Sequence, residues 1–463
     1  LFCIGLLTWL LLFALLRTTQ HFSFATNTWD LSIYDYAMAS TLKGEPMFEP
    51  FHAFGWGSHL AVHFTPVLFL LAPLYLVFTG PLFLLYIQVI AVGAAAIPLY
   101  LIARRELGEG WPALLPPLLF LLYRPLLNGL MYDFHPEMFF PLCIFSSYYF
   151  LAFRRRHLPF LLFIILALWL KEDFAAYTIF YCIWLARKSE WRRTALMAAL
   201  LGAIYLFLTL AIFIPHFQEQ LQTGRGYEFI GRWQDYGRTP MEIAGHALKN
   251  PLRVLQDLRP LANLARLANF FLPLLFVPCG SSAVLLIIPP IVVAWLSRIP
   301  TMAAFGLHYG SALIPFLFLA LVLTLARWKK IPGSDRSVPR LVGNWLLPSL
   351  LLVSLINFKW NLFDPGKYAS IRHYSAVKLG LERIPAGAPL AAQSVLIPHL
   401  PRRREIFMLP EKGRADFIVF HLDLNPWPIG TAELQDLDGA LSHSPQYALL
   451  HRSGGLRIYK KVP

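Results

Sequence analysis

Acids, imidazoles and one lysine stand where a greasy chain has little reason to keep them. The stretch "HFSFATNTWDLSIYDYAMASTLKG" (21–44) carries Asp30 and Asp35 just past the first apolar segment. In "SHLAVH", His59 and His63 are four positions apart. On a helix that spacing gives both imidazoles one face, and such a pair can ligate zinc, although no H-E-x-x-H surrounds it. "MYDFHPEMF" (131–139) offers Asp133, His135 and Glu137 on a loop opened by Pro136. "WLKEDF" (169–174) sets Lys171, Glu172 and Asp173 inside an otherwise apolar stretch, and "GLHYGS" (306–311) adds His308 and Tyr309. Carboxylates beside cationic and imidazole groups are the parts of general acid–base chemistry, of a divalent-cation site, or of phosphate binding. Plainer readings stand beside these. Asp30 at the start of a short helix caps its N–H groups, Asp35 is a solvated or hydrogen-bonded surface acid, and Lys171 pairs with a neighbouring acid.

The elements that must position these groups follow from composition. The chain has 463 residues, 57% hydrophobic and 14% charged, with a mean hydropathy of +0.54. A soluble domain carries about 25% charged residues. Apolar runs of 15 to 20 residues recur, long enough to cross a bilayer. The expected fold is therefore an all-α polytopic membrane protein. Residues 1–16 lack the basic start and small-residue cleavage site of a signal peptide, so a first spanning helix is expected there. Cys3, Cys143, Cys182 and Cys279 are scattered without metal-like spacing.

A formal charge of +14 invites a nucleic-acid reading. Much of that charge lies in clusters beside apolar runs: Arg104–Arg105, Arg154–Arg156, Arg187 to Arg193, and Arg327 to Lys330. Topology signals and anionic phospholipids account for these without nucleic acid. The positive-inside rule puts all four clusters in the cytoplasm. About 11 crossings then follow, at 1–17, 81–103, 111–128, 138–153, 158–170, 174–186, 194–214, 268–280, 283–297, 308–326 and 342–359. The segment 63–80, interrupted by Pro66 and Pro73, is read as interfacial or re-entrant.

With that parity the chemistry-bearing residues all fall at outer loops or outer helix ends. "LSIYDYAMASTL" reads as a short amphipathic helix on the membrane surface, bearing Tyr34. An outer loop over about 215–265 supplies Arg225, Arg232 and Arg238. Residues 360–463 form an outer α/β domain of short strands, following a transmembrane domain over 1–359. That domain is read as an acceptor-recognition or lid module, with Arg402–Arg404 and His399 as an anion contact or a solvated basic turn. A transporter would carry polar groups through its midplane, whereas most of these span centres are apolar.

The pieces "WDLSIYDYAMASTLKGEP", "HFTPVLFLLAPLYLVF", "LYLIARRELG", "YDFHPEMFFPL" and "LALWLKEDF" occur in that order over about residues 20–190. Together they resemble the GT-C superfamily of integral-membrane glycosyltransferases and, more narrowly, the prokaryotic membrane family known as domain of unknown function 2079. The resemblance implies an inverting transfer of sugar from a polyprenyl-phosphate donor to a lipid, glycan or protein acceptor outside the cytoplasmic membrane. It matches Asp30 to a first-loop acid and Asp133 to a second-loop acid. Lys171 is similar to a lysine at the third outer turn of lipid-A aminoarabinose and related transferases. Two departures are visible: Asp30 is followed by Leu31 rather than a second acid, and the second loop reads Asp-Phe-His-Pro-Glu instead of Asp-x-Asp.

On that basis Asp30 is expected to accept the acceptor's proton. Tyr34, Lys171, His308, Tyr309, Arg225 and Arg232 are expected to contact substrate. Asp133, His135, Glu137, His59 and His63 are expected to hold a divalent cation (Mg, Mn or Zn) bridging the phosphate, or simply to order it. Competing expectations are a non-catalytic GT-C-like assembly protein and a membrane transporter of a lipid-linked or anionic solute.

Overall fold

Apolar periodicity and proline placement set the helical elements of the chain. The computed structural model describes residues 2–51, 55–221, 228–331, 342–346, 348–349, 352 and 370–462. Helix α1 (Phe2–Phe22) leads through a kinked turn at Thr28–Ser32 into α2 (Ile33–Thr41). A small hairpin follows, β1 (Phe48–Glu49) and β2 (Gly57–Ser58), and then α3 (Val67–Tyr75). Next come α4 (Pro81–Leu107), α5 (Trp111–Leu121), α6 (Arg124–Met131), α7 (Phe140–Arg154), α8 (His157–Leu168), α9 (Glu172–Leu185) and α10 (Arg192–Leu208). A wide turn joins α10 to α11 (Ile214–Gln220).

Among the described residues, three helical stretches are long and apolar enough to cross a membrane: Phe2–Phe22, Pro81–Leu107 and Arg192–Gln220. The pair α5 and α6, bent by 43°, makes a fourth if taken as one span. The chain is thus a mostly helical, multi-span membrane protein. The remaining expected crossings are shorter or broken. α7, α8 and α9 have 15, 12 and 14 residues, while the segment 63–80, not expected to cross, holds α3 of nine residues, too few to cross. The segment 268–280 is not one helix. Pro273 and Pro278 remove backbone donors there, Leu275 and Phe276 take positive φ, and two short 3-10 turns result. The last expected span, 342–359, lies mostly outside the described residues.

α4 and α17 (Ile314–Lys329) form the spine. α17 is apolar almost all round and buried from Ile314 to Val322, as a helix enclosed by others must be. α1 instead leaves Ile4, Leu7, Leu11 and Leu15 exposed along one stripe, the kind of apolar face that a bilayer covers. The basic ends gather: Lys329 Nζ donates to Leu107 O at 2.8 Å and Arg187 Nη2 to Ser282 Oγ at 3.0 Å. Near the start of α4, Gln88 holds the 130–135 loop. From Gln88 to Leu107 the helix rises roughly 28 Å, close to the ~30 Å of bilayer hydrocarbon. Basic clusters and chemistry-bearing loops therefore lie at opposite ends of the bundle.

The stretch expected as a long loop is largely helical: α12 (Pro240–Lys249), α13 (Pro251–Asp257) and α14 (Pro260–Phe271). α15 (Ile288–Trp295) and α16 (Pro300–Ala303) precede α17.

After α18 (Tyr374–Leu381) the chain builds a five-stranded sheet. It comprises β3 (Leu390–Ala392), β4 (Ile406–Met408), β5 (Phe417–His421), β6 (Tyr447–Ser453) and β7 (Leu456–Lys461), with α19 (Thr431–Ser442) between β5 and β6. The order is β4-β3-β5-β7-β6, parallel through β5 and antiparallel beyond it, with Val419 opposite Ile458. One face packs on α19. The other face is completed by first-loop residues Phe24 and Tyr36, which join Val377, Leu396 and Ile458. The expected division at 359/360 falls outside the described residues.

α2 differs from its expectation. Every residue from Ile33 to Ser40 is buried, so it is not a helix lying open on a surface. α3 and the segment 394–404 cover it. Asp35 is accordingly neither solvated nor superficial. Arg402 grips it through Nε (2.6 Å) and Nη2 (2.8 Å), and the Tyr75 hydroxyl donates to it.

Candidate functional site

The kinked turn before α2 presents Asp30. Asp30 takes a φ of +77°, a conformation that side chains with a Cβ rarely adopt and that clusters at functional sites. Ser32, the residue preceding α2, makes no side-chain cap. Asp30 Oδ2 lies 3.4 Å from His135 Nε2, an ion-pair distance without hydrogen-bond alignment, and Tyr132 lines the same cleft beside it.

Gln88, a lone polar residue in an apolar run of α4, fixes the second loop. Its Nε2 donates to Leu130 O (3.2 Å) and Asp133 O (3.0 Å), and its Oε1 accepts from His135 N–H (2.6 Å). The loop then stacks its rings. His135 lies on His308 with centroids 3.6 Å apart, flanked by Tyr132 and Tyr309. Burial, reinforced by His135 and Lys171, pushes the His308 imidazole well below its ordinary pKa, so it faces the cleft neutral.

Lys171 precedes α9 and pairs with Glu137 rather than with its sequence neighbours, Nζ to Oε1 at 2.8 Å. Burial alone would push the Glu137 carboxyl up, but Lys171 and His135 overturn that and hold it at about 2. Burial opposes the Lys171 charge as well, yet Glu137, Asp173 and Glu172 keep its pKa raised. Glu172 turns the other way, meeting His63 Nδ1 at 2.8 Å and accepting from Phe64 N–H at 3.1 Å.

These groups surround one cleft. It is lined by Asp30, Tyr34, His59, His63, His135, Glu137, Lys171, Arg232, His308 and Tyr309, with Trp29 and Tyr132, around about 540 Å³ free of protein atoms, open solvent included. A second chamber continues past Lys171 and Arg232 to Asp173, Tyr177 and Met302. Residues far apart in sequence therefore converge on one place. Arg232 is carried on a 3-10 turn (Glu228–Trp233) whose Trp233 Nε1 donates to Val293 O at 2.9 Å. Two expected residues do not join them. Arg225 lies outside the described residues. Asp133 sits behind the cleft wall, accepting from Asn27 N–H at 3.0 Å. Burial raises its pKa to about 7, with Arg17 opposing and Asp30 adding to the shift.

Of the residues expected to hold a cation (Asp133, His135, Glu137, His59 and His63), several have protein partners in this arrangement. Glu137 meets Lys171 through Oε1, Asp133 accepts from Asn27 through Oδ2, His63 meets Glu172, and His59 stands 3.9 Å from Glu49. Among the described residues no three His, Cys, Asp or Glu side chains are placed to hold one ion. Sequence reasoning missed Trp29, Tyr132 and Gln88. Only Gln88 left a signal, as an amide within "LYIQVIAVG".

The chain belongs to the family described as "Predicted membrane protein (DUF2079)", whose model matches residues 20–427. Among solved structures it is similar to ArnT from Cupriavidus metallidurans bound to undecaprenyl phosphate, at 11% identity and a TM-score of 0.48, over 98% of each chain. The same enzyme in the apo state gives 12% identity, the same TM-score and the same coverage. A search of curated protein sequences finds no match.

Proposed function

We propose that this cleft transfers a sugar from a polyprenyl-phosphate donor to a hydroxyl acceptor, with inversion, on the outer side of a prokaryotic cytoplasmic membrane. The observation that carries the reading is the shared lining of one cleft by an acid, Asp30, and by the cations Lys171 and Arg232. It stands at the end of the bundle opposite the basic clusters. A lipid-borne phosphate entering from the bilayer meets Lys171, Arg232 and the neutral His308, which stabilise the charge that develops as it leaves. Asp30 accepts the proton of the attacking hydroxyl and faces the positive charge growing at the anomeric carbon. His135, held by Gln88 and stacked on His308, keeps Asp30 oriented. Tyr34 and Tyr309 are placed to contact the sugar. The sheet over residues 390–461 lies against the Asp30 turn, which fits an acceptor-side or lid role.

One observation favours the rival reading of a non-catalytic relative: Lys171 pairs with a carboxylate of the protein itself, Glu137. Purified protein given a radiolabelled polyprenyl-phosphate sugar separates the two. Sugar release that falls about 10²- to 10⁴-fold in Asp30→Asn is the expected result. Equal turnover by that variant would remove Asp30 as the base, and absence of donor binding would remove the activity class.

A further inference from the structure

The positive-inside rule leaves one set of arginines unexplained. Arg253, Arg259, Arg266 and Arg298 line a single pocket of about 990 Å³, open solvent included. Arg298 N–H donates to Arg232 O at 2.9 Å, so the pocket adjoins the cleft, at the end away from the basic clusters. Retention signals do not require arginines there. Nor do the acids balance them. Asp235 takes Arg298, and Asp257 stands 3.7 Å from Arg253 while accepting from Tyr236. Arg266 donates only to neutral oxygens, Asn263 Oδ1 at 2.7 Å and Ala303 O at 3.4 Å. Among the described residues neither Arg266 nor Arg259 has a carboxylate partner.

Arg253 lies on α13, Arg259 and Arg266 at the start and middle of α14, and Arg298 between α15 and α16. α12 to α14 leave Leu248, Leu252, Leu255, Leu261 and Leu264 exposed. Leucines on one side and arginines on another is the pattern of a helix lying in a bilayer interface. Here the basic side chains converge on a concave pocket, where a forked guanidinium geometry suits phosphate oxygens. Apolar surface and anion site are contiguous, as a headgroup and its acyl chains are.

We propose that this pocket binds the phosphate headgroup of an anionic phospholipid, with the leucines of α12–α14 seated among its acyl chains. The site is separate from the sugar-transfer cleft and does not depend on that reading. It gives the protein a reason to hold its outer helices at a fixed depth beside the cleft mouth.

The test uses the full chain in mild detergent, followed by native mass spectrometry with dioctanoyl phosphatidylglycerol, dioctanoyl phosphatidylcholine or inorganic phosphate. Wild-type protein should retain the anionic lipid in clear preference to phosphatidylcholine. The double variant Arg259→Gln/Arg266→Gln should weaken that retention about 30-fold, the effect of two basic side chains facing an anionic headgroup. Leu252→Ser/Leu255→Ser should weaken lipid retention too. Equal binding of the two lipids by wild-type protein overturns the proposal and needs no variant. Displacement of the lipid by inorganic phosphate at a matching concentration would show a free-phosphate site and overturn the lipid assignment. Unchanged retention in a folded arginine variant, judged by its circular dichroism and thermal midpoint, does the same.

Discussion

Glu137 and Lys171 form the kind of pair whose value lies in not being broken. Both are buried, and removing one partner strands the other charge, which costs about 3–5 kcal/mol. Glu137→Gln should therefore lower the thermal midpoint sharply in detergent. The double variant Glu137→Gln/Lys171→Met should recover much of the loss, a non-additivity that a double-mutant cycle reads directly. The pair also sets an acid limit. A carboxyl held at about 2 in the folded state contributes stability above its unfolded pKa of about 4.3. That contribution is lost as pH falls through about 4 to 2. Asp133 works in the opposite sense. Its folded pKa of about 7 lies above the unfolded value of about 3.9, so the folded state holds the extra proton between them. Stability from this group falls as pH rises from about 4 to 7. Thermal melts of wild type should show that slope, and Asp133→Asn should flatten it.

At the scale of elements, α4 does two jobs. Its Gln88 end clamps the second loop, and its Leu107 end meets Lys329. Gln88→Leu leaves two buried carbonyls and the His135 N–H without their partner, each worth about 1–3 kcal/mol. We expect a lower thermal midpoint and faster proteolysis within 130–136. Helix packing depends on close approach at Gly202, where a Cβ would come 2.8 Å from Ile179 Cγ1 across the α9–α10 contact. Gly202→Val should cost about 1–3 kcal/mol by overpacking while leaving the cleft residues in place, a result that thermal unfolding and donor binding report separately. The stretch from 158 to 186, with its interrupted hydrophobicity, reads in sequence as two helices around a charged turn, and α8 and α9 have that form. By contrast 268–280 looks like a span by composition alone, because hydropathy does not register the donors that Pro273 and Pro278 lack.

For the whole molecule, the sheet is fastened to the membrane bundle through the first loop. Thr28 donates its N–H and its hydroxyl to Ser394, His21 stacks on His399 at 4.3 Å, Arg404 pairs with Glu45, and Arg402 clamps Asp35. These contacts hold the chain on either side of Asp30. Arg402→Met strands the buried Asp35 and should cost about 3–5 kcal/mol. Limited proteolysis should then release a fragment carrying β3 to β7, which stays attached in wild type. Sugar transfer should fall with it, because the Asp30 turn loses its backing.

The sequence by itself determined the class of molecule, since 57% hydrophobic residues in repeated apolar runs admit only a lipid-embedded chain. It also marked most of the cleft's lining, because a charge or imidazole beside a membrane span is costly enough to stand out by type alone. It marked Asp35 and Arg402 only as separate surface groups, and gave Lys171 several equivalent acids to choose from. Tertiary structure decided those pairings, turned Asp133 away from the cleft, and separated the residues expected to share a metal. The physical reason is that pairing between buried charges depends on distance and desolvation in three dimensions. Neighbourhood along the chain fixes neither, so Lys171 bypasses Glu172 beside it for Glu137 on another loop.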